Sequence, residues 1–322
     1  MSGNTTRAPL PAHPKLAKYA WLSIAAALVT IALKSGAYLV TGSVGLLSDA
    51  AESVVNLVAA IIALIALTVA ARPADEKHHY GHGKAEYFSA AIEGLMIFVA
   101  AAVILVTAIQ RLIHPQALES LGIGLAISLV ATAVNSAVGV LLIRVGRQHR
   151  SATLTADGKH LMTDVWTSVG VVVGVLLVAI TGWLPLDAIV AIAVALNILV
   201  TGTRLVVSST SSLLDAALSP KDVALVTEVL DRHRSDDVDF HGLQTRESGR
   251  TRFVTFHVLV PGAWPVQRAH DLVEMIEAQV REVLEGSYVT THIEPREDER
   301  SYEDFTFDGI ATPDPKPRDP AT

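Results

Sequence analysis

The sequence predicts a polytopic α-helical membrane protein: six transmembrane helices followed by a C-terminal cytoplasmic α+β domain. Three observations predict this. Only 18% of the residues are charged and 51% are hydrophobic, against about 25% charged in an ordinary soluble domain. The mean hydropathy is +0.43. The apolar residues gather in runs about as long as a bilayer is thick, and acidic residues concentrate only after residue 215.

The runs fall at roughly 17–40, 45–71, 87–112, 118–145, 160–182 and 186–207. Residues 1–15 are polar and lack the apolar core of a cleaved signal peptide, so the first run reads as an uncleaved span. Arg72, Lys77 and Lys84 lie between spans two and three. Arg147, Arg150 and Lys159 lie between spans four and five, with Arg144 at the edge. The turns near 41–45 and 182–186 hold no Lys or Arg. Positive loops stay on the cytoplasmic side, so both basic loops and both termini are expected there, in the cell (inner) membrane.

After Pro220 the pattern changes. Asp222–His233 reads as a helix, Val238–Arg246 as a strand, and Thr251–Val260 as a strand with Val254, Phe256, Val258 and Val260 on one face. Val266–Leu284 reads as a helix and Tyr288–Glu294 as a strand, giving an α-β-β-α-β order. The expected organisation is a polar segment 1–15, a six-helix domain 16–210, a cytoplasmic domain 211–296 and a disordered tail 297–322, ending DPKPRDPAT.

A charged side chain at mid-bilayer costs at least ~2.5–3.5 kcal/mol on insertion scales, so such residues tend to be functional. Span two carries SDAAESVVN, with Asp49, Glu52 and Asn56. The start of span five carries ADGKHLMTD, with Asp157, His160 and Asp164. Glu52 and Asn56 are four apart and share a helix face, and His160 and Asp164 repeat the spacing. If the two faces meet, four N and O donors surround one point, which suits a divalent first-row ion. The bland alternative is two hydrogen-bonding pairs at a wet interface. Asp49 and Asp157 are placed nearer helix ends, as helix-start acids or pathway groups. Asn135 in span four reads as a bond to a neighbouring helix. Lys34 in span one reads as a structural ion-pair partner or a snorkelling residue.

A second cluster lies in the loop PADEKHHYGHGKAEY, where Asp75, His78 and His82 place three ligand types in eight residues. A solvated polar loop is the alternative. A third set, His241, His257, His270, His292 and Glu294, is scattered through the cytoplasmic domain, where ordinary surface histidines would look the same. The chain has no cysteine, which excludes disulfides and thiolate sites, and with no methionine run it argues against Cu(I). The acidic cytoplasmic domain argues against nucleic acid as a partner.

Four stretches, GSVGLLSDAAESVVN, ARPADEKHHYGHGKAEY, ADGKHLMTDVWTS and HGLQTRESGRTRFVTFHVLV, resemble the cation diffusion facilitators, a family of divalent-metal/proton antiporters. The resemblance implies a transport site on Glu52, Asn56, His160 and Asp164, and a loop site on Asp75, His78 and His82. It also implies cytoplasmic metal sites on His241, His257, His270, His292 and Glu294, a metallochaperone-like cytoplasmic fold, and a homodimer. Lys84 and Asp215 match a family ion pair near the dimer interface. Family zinc transporters place Asp or His where Glu52 stands and Asp where Asn56 stands, so this chain's site loses one carboxylate. Glu294 replaces a family Asp.

With Glu52 and Asp164 ionised and His160 neutral, the ligand set carries −2 and balances a dication. Metal ligands must be deprotonated, so metal and proton compete for the same groups. Export of Zn2+ in exchange for protons is the expected activity, with Fe(II), Mn, Co or Cd as alternative cargo, and zinc also expected as a structural ion. An intramembrane metalloenzyme would need an activated water and a base, and no HExxH motif occurs. A membrane-anchored metal sensor would leave the acids of spans two and five without a purpose. No enzymatic activity is therefore expected.

Overall fold

The computed structural model describes residues 16–41, 44–114, 122–183 and 185–302. Six long helices come first: α1 Ala17–Thr41, α2 Val44–Ala70, α3 Ala85–Ile113, α4 Gly122–Gln148, α5 Ala152–Thr181 and α6 Pro185–Leu213. Each contains a segment long and apolar enough to cross a membrane. Then follow α7 Pro220–His233, β1 Asp239–Ser248, β2 Thr251–Val260, α8 Val266–Val283 and β3 Ser287–Pro295. The chain divides into two compact units at Leu214/Asp215.

In the membrane unit α5 is the hub, packing against α1, α2, α3, α4 and α6. One apolar cluster joins α1, α2, α4 and α5 through Ala20, Leu67, Leu142, Leu154 and Leu161. Another joins α3, α5 and α6 through Ala90, Ile97, Ala101, Ala156, Ile198 and Leu205. The outward faces carry Ile65, Phe88, Val103, Leu176 and Val207 exposed. Those side chains suit a lipid surround, where close packing of small residues rather than water exclusion holds helices together. Glycine supplies that closeness between α4 and α5. A Cβ on Gly158 would lie 2.7 Å from Ile143 Cγ1 and 2.8 Å from the Gly139 carbonyl oxygen, and one on Gly146 would lie 2.7 Å from Thr155 N.

The fifth helix starts eight residues before the expected position 160. Ser151 caps it, its hydroxyl accepting from Leu154 N (3.3 Å). The polar stretch TADGK therefore continues the helix instead of forming a loop, and its polar groups turn inward. His160 and Asp164 sit in the third and fourth turns, not at the head. Asp157 is an interior, fully buried residue instead of a helix-end acid. Lys159, Arg144 and Arg147 likewise stand on helices. Lys34 is buried inside the bundle rather than snorkelling. The expected start of span four at 118 lies outside the described residues, as do the N-terminal segment 1–15 and residues 303–322.

The second unit has the expected element order. Ser219 caps α7 by accepting from Asp222 N (3.2 Å), and Pro220 occupies the first turn, where no backbone donor is missed. The strands lie in the order β1-β2-β3, with β1 antiparallel and β3 parallel to β2, α8 making the crossover. Both helices cover one face: Val226 and Val229 of α7 and Ile276 and Val280 of α8 pack with Phe240, Val254, Phe256 and Val258. Alternation sends His257 to the other face. Of the segment expected to be disordered, Glu299–Tyr302 forms a short 3₁₀ turn, tied back by Ser301 Oγ donating to Pro295 O (2.8 Å) and Tyr302 OH donating to Arg296 O (3.0 Å).

Gly158→Val should overpack the α4/α5 seam, which typically costs 1–3 kcal/mol, and lower the thermal unfolding midpoint in detergent. Gly36→Ala, whose Cβ would meet nothing within 4 Å, should leave that midpoint in place. Equal midpoints for Gly158→Val and the unsubstituted protein would contradict the close α4/α5 contact.

Candidate metal centres

Helix α2 positions Glu52 and Asn56, and α5 positions His160 and Asp164. The two helices pack together, and Asn56 joins both residues of α5. Its Nδ2 donates to Asp164 Oδ2 in a short contact. Its Oδ1 lies 2.8 Å from His160 Nε2. These bonds settle the chemistry of each group. A carboxylate only accepts, so the Asn56 amide nitrogen faces Asp164 and its oxygen faces the ring. The hydrogen of His160 then sits on Nε2, and Nδ1, which is buried, has no hydrogen-bond partner among the described residues. An ion entering through Nε2 has to displace that hydrogen. Glu52 is half-buried one turn before Asn56 on the same face. Asp49 falls on α2, its side chain outside the described residues.

Helix α4 adds a group that sequence reasoning treated as ordinary packing. Asn135 is 1% exposed, and its Nδ2 donates to the same Asp164 oxygen at 3.1 Å. Its Oδ1 is buried without a hydrogen-bond partner. Two carboxamides thus converge on one carboxylate oxygen, orienting Asp164 as hydrogen-bonded neighbours orient metal ligands. The only signal in the sequence was a polar residue in an apolar span.

The loop residues Asp75, His78 and His82 present ligand atoms all within 4.8 Å of one another. The Lys77 and His78 backbone N–H groups donate to Asp75 Oδ1 at 2.9 and 2.8 Å. His78 Nδ1 lies 3.1 Å from the same oxygen, and His82 Nε2 lies 3.3 Å from Asp75 Oδ2. Gly81, at φ 80°, supplies the left-handed turn that lets His82 come back to the acid. Desolvation acts to raise the Asp75 carboxyl, but the backbone hydrogen bonds from Lys77 and His78 and the His78 ring outweigh it and hold the group below the ordinary carboxylate range. The set fits a surface divalent ion.

In the second unit His241, His257 and Glu294 form the other such set. Strand pairing builds it, since His241 pairs with His257 and His257 with His292 in adjacent strands. His241 Nε2 is 2.8 Å and His257 Nδ1 3.4 Å from Glu294 Oε2. His292 sits at the rim, its Nε2 3.5 Å from Glu294 Oε1 and its side chain 67% exposed. His270 is exposed on α8 and is not part of this set. Three N and O donors fit an ion with one position left for a fourth ligand. Of the pair expected from family resemblance, Lys84 Nζ donates to Leu213 O (3.1 Å) and Asp215 accepts from Arg246 (3.2 Å).

Residues 20–214 match the cation efflux transmembrane domain, and residues 218–296 match the cytoplasmic domain of cation efflux proteins. The chain belongs to the cation efflux family. Among relatives, an uncharacterized transporter of Synechocystis sp. is 52% identical over 285 residues, 88% of this chain and 92% of its own. The cation-efflux pump FieF of Serratia proteamaculans is 32% identical over 286 residues, 88% of this chain and 95% of its own. A solved CzrB structure is 33% identical over 24% of this chain and 96% of its own, with a TM-score of 0.23. The chain is thus a cation diffusion facilitator, a multi-pass membrane transporter of divalent metal ions and not an enzyme.

Asn135→Ala should leave Asp164 less well oriented and weaken metal binding by about 10-fold or more, the usual effect of removing an outer hydrogen bond to a ligand. Equilibrium dialysis with the loop and cytoplasmic histidines replaced isolates that affinity. An unchanged value would show that Asn135 only packs.

Proposed function

We propose that this transporter exports Zn2+ in exchange for protons, binding the ion between α2 and α5 through Glu52, Asn56, His160 and Asp164. The observation that carries the reading is the Asn56 bridge. It draws His160 and Asp164 to one point in the bundle, and it places a hydrogen on the ring nitrogen that an ion would need. An ion can take that nitrogen only after the hydrogen has left it, moved to Nδ1 in the neutral ring or released from an imidazolium, and in the imidazolium metal and H+ compete directly for the ring.

Charge supports the same reading. Glu52 and Asp164 supply −2 against the dication, and Asn56 contributes a neutral oxygen. One imidazole with oxygen donors favours zinc, with Fe(II), Mn, Co and Cd as the cargo to compare. On the cytoplasmic side a protonated His160 releases its proton to water and the neutral ring binds the metal. On the more acidic outer side a proton displaces the metal, so the proton gradient drives export. Rocking of the helices about a fixed midplane site alternates its access to the two sides.

The protein works as a homodimer in the cell (inner) membrane with both termini cytoplasmic. His241, His257 and Glu294 leave a coordination position open, and the exposed His292 and His270 are donors that a second copy can bring to a shared ion. In this role the cytoplasmic zinc is structural, and the loop ion on Asp75, His78 and His82 is an accessory site. The basic residues of the loop before α3 and of the α4/α5 junction support the orientation.

In proteoliposomes with a pH-sensitive dye inside, zinc should drive proton movement in the unsubstituted protein, while His160→Ala and Asp164→Ala should abolish it with the dimer intact. Undiminished flux in either variant rejects the site. A panel of Zn2+, Fe2+, Mn2+, Co2+ and Cd2+ in the same assay ranks the cargo, and zinc ranking below the others rejects zinc as the principal one.

A further inference from the structure

Two buried acids take no part in the centres described above. Glu93 on α3 and Asp157 on α5 are both 0% exposed. The starts of their helices are joined, since Ser151 Oγ donates to Glu86 Oε2 and Thr153 Oγ1 donates to Glu86 O at 3.2 Å. From that junction Ala90 and Ile97 of α3 pack with Ala156 of α5, so the helices continue side by side in the same direction. Glu93 lies seven residues beyond Glu86 and Asp157 six beyond Ser151, so both reach about 9–10 Å along the pair. Glu93 shares the face of Ala90 and Ile97, the residues of α3 that cluster with Ala156 next to Asp157.

Their hydrogen bonding is half complete. Ser89 Oγ donates to Glu93 Oε1 (3.2 Å) and Ser23 Oγ donates to Asp157 Oδ1 (3.1 Å). Glu93 Oε2 and Asp157 Oδ2 have no hydrogen-bond partner among the described residues. Other charged groups on the surrounding helices are Lys34 and the exposed Lys18 on α1, Glu52 on α2, Glu86 and the exposed Arg111 on α3, and the half-buried Lys159 with His160 and Asp164 on α5; Asp49 on α2 and Asp187 on α6 have side chains outside the described residues. Arg144 and Arg147 on α4 and Arg204 on α6 are exposed. Among the described residues Glu93 and Asp157 accept from Ser89 and Ser23, and both are fully buried.

We propose that Glu93 and Asp157 form a proton-binding site inside the helix bundle, separate from the metal site, with one proton shared by the two carboxyl groups. Two neighbouring carboxylates out of water cannot both stay ionised. A single proton removes the repulsion and turns one acid into a donor for the other, which satisfies both orphan oxygens at once. Two carboxyl groups and two hydroxyls, with no imidazole, are a poor set for a transition-metal ion. Asp157 lies three residues before His160 on α5. A shift of α5 against α3 that opens the metal site therefore also parts the acids and lets the shared proton leave. This last step rests on the antiport reading; the presence of the proton does not.

Infrared spectroscopy of the full-length protein in lipid detects a protonated carboxyl by its C=O stretch. The unsubstituted protein should show that band at neutral pH, where ordinary carboxyls with values near 4 are fully ionised. Glu93→Gln and Asp157→Asn should each remove it, and each should lower the protons moved per zinc in proteoliposomes by about one. The site is overturned if no such band exists at neutral pH, if it survives both substitutions, or if both variants keep a nonzero parental proton-to-zinc ratio. If a variant fails to fold, Ser23→Ala and Ser89→Ala, each removing one hydrogen bond to the pair, should shift the band, and a band unmoved by both overturns the site. An unsubstituted protein that carries zinc with no proton movement refutes antiport instead, and the band alone then decides whether the acids hold a proton.

Discussion

The Asn56 carboxamide spanning α2 and α5 is the contact on which the proposed transport centre depends. In a bundle with no water to compete, a polar side chain must find its partners on another helix or remain unpaired. Asn56 finds two on α5, one through each end of its amide. Because a carboxylate can only accept, that arrangement dictates which end is which, and from there the tautomer of His160. A single amide therefore determines the distance between two helices, the direction of Asp164 and the position of a hydrogen.

The helix that receives these bonds is also the one that touches most of its neighbours. Small residues allow α5 to lie against α4, with Gly139 facing Gly158 and Gly146 facing Thr155. Serine and alanine allow it to lie against α3. Along its first four turns α5 carries an N-cap bonded to Glu86, an acid beside Glu93, and the imidazole and carboxylate of the metal centre. The proposed metal and proton sites thus share one helix, so a movement of that helix would reach both together. The loop before α3 and the histidine-bearing face of the sheet are built differently. There the donors sit on a turn or on paired strands, from exposed Asp75 and His78 to buried His241.

Much of this was legible in the residues. Runs of apolar residues marked all six spans because bilayer thickness sets their length, with the start of α5 eight residues off and the end of α6 six. The alternation of Val254, Phe256 and Val258 marked β2 and the side its histidine takes. The i, i+4 spacing of Glu52 with Asn56 and of His160 with Asp164 marked the faces that meet. The start of α5 was not legible, because TADGK is polar enough to pass for a loop. Its helicity depends on a cap at Ser151 and on partners at Ser23 and Glu86 that are distant in sequence. Asn135 was undervalued for a related reason: its role depends on which neighbour it meets. His270 shows the reverse case. Its residue type and the family resemblance both suggest a ligand, and α8 leaves it exposed, apart from the His241, His257 and Glu294 set of its own chain.

The central claim is that a transported dication rests between α2 and α5. Anomalous scattering at the zinc edge from crystals of the zinc-loaded transporter in lipid locates the ion directly. A peak bounded by the side chains of Glu52, Asn56, His160 and Asp164, lost in crystals of His160→Ala, is the result this account predicts. Zinc peaks confined to the loop and the cytoplasmic domain under saturating zinc, with the Asn56 bridge intact, would contradict it.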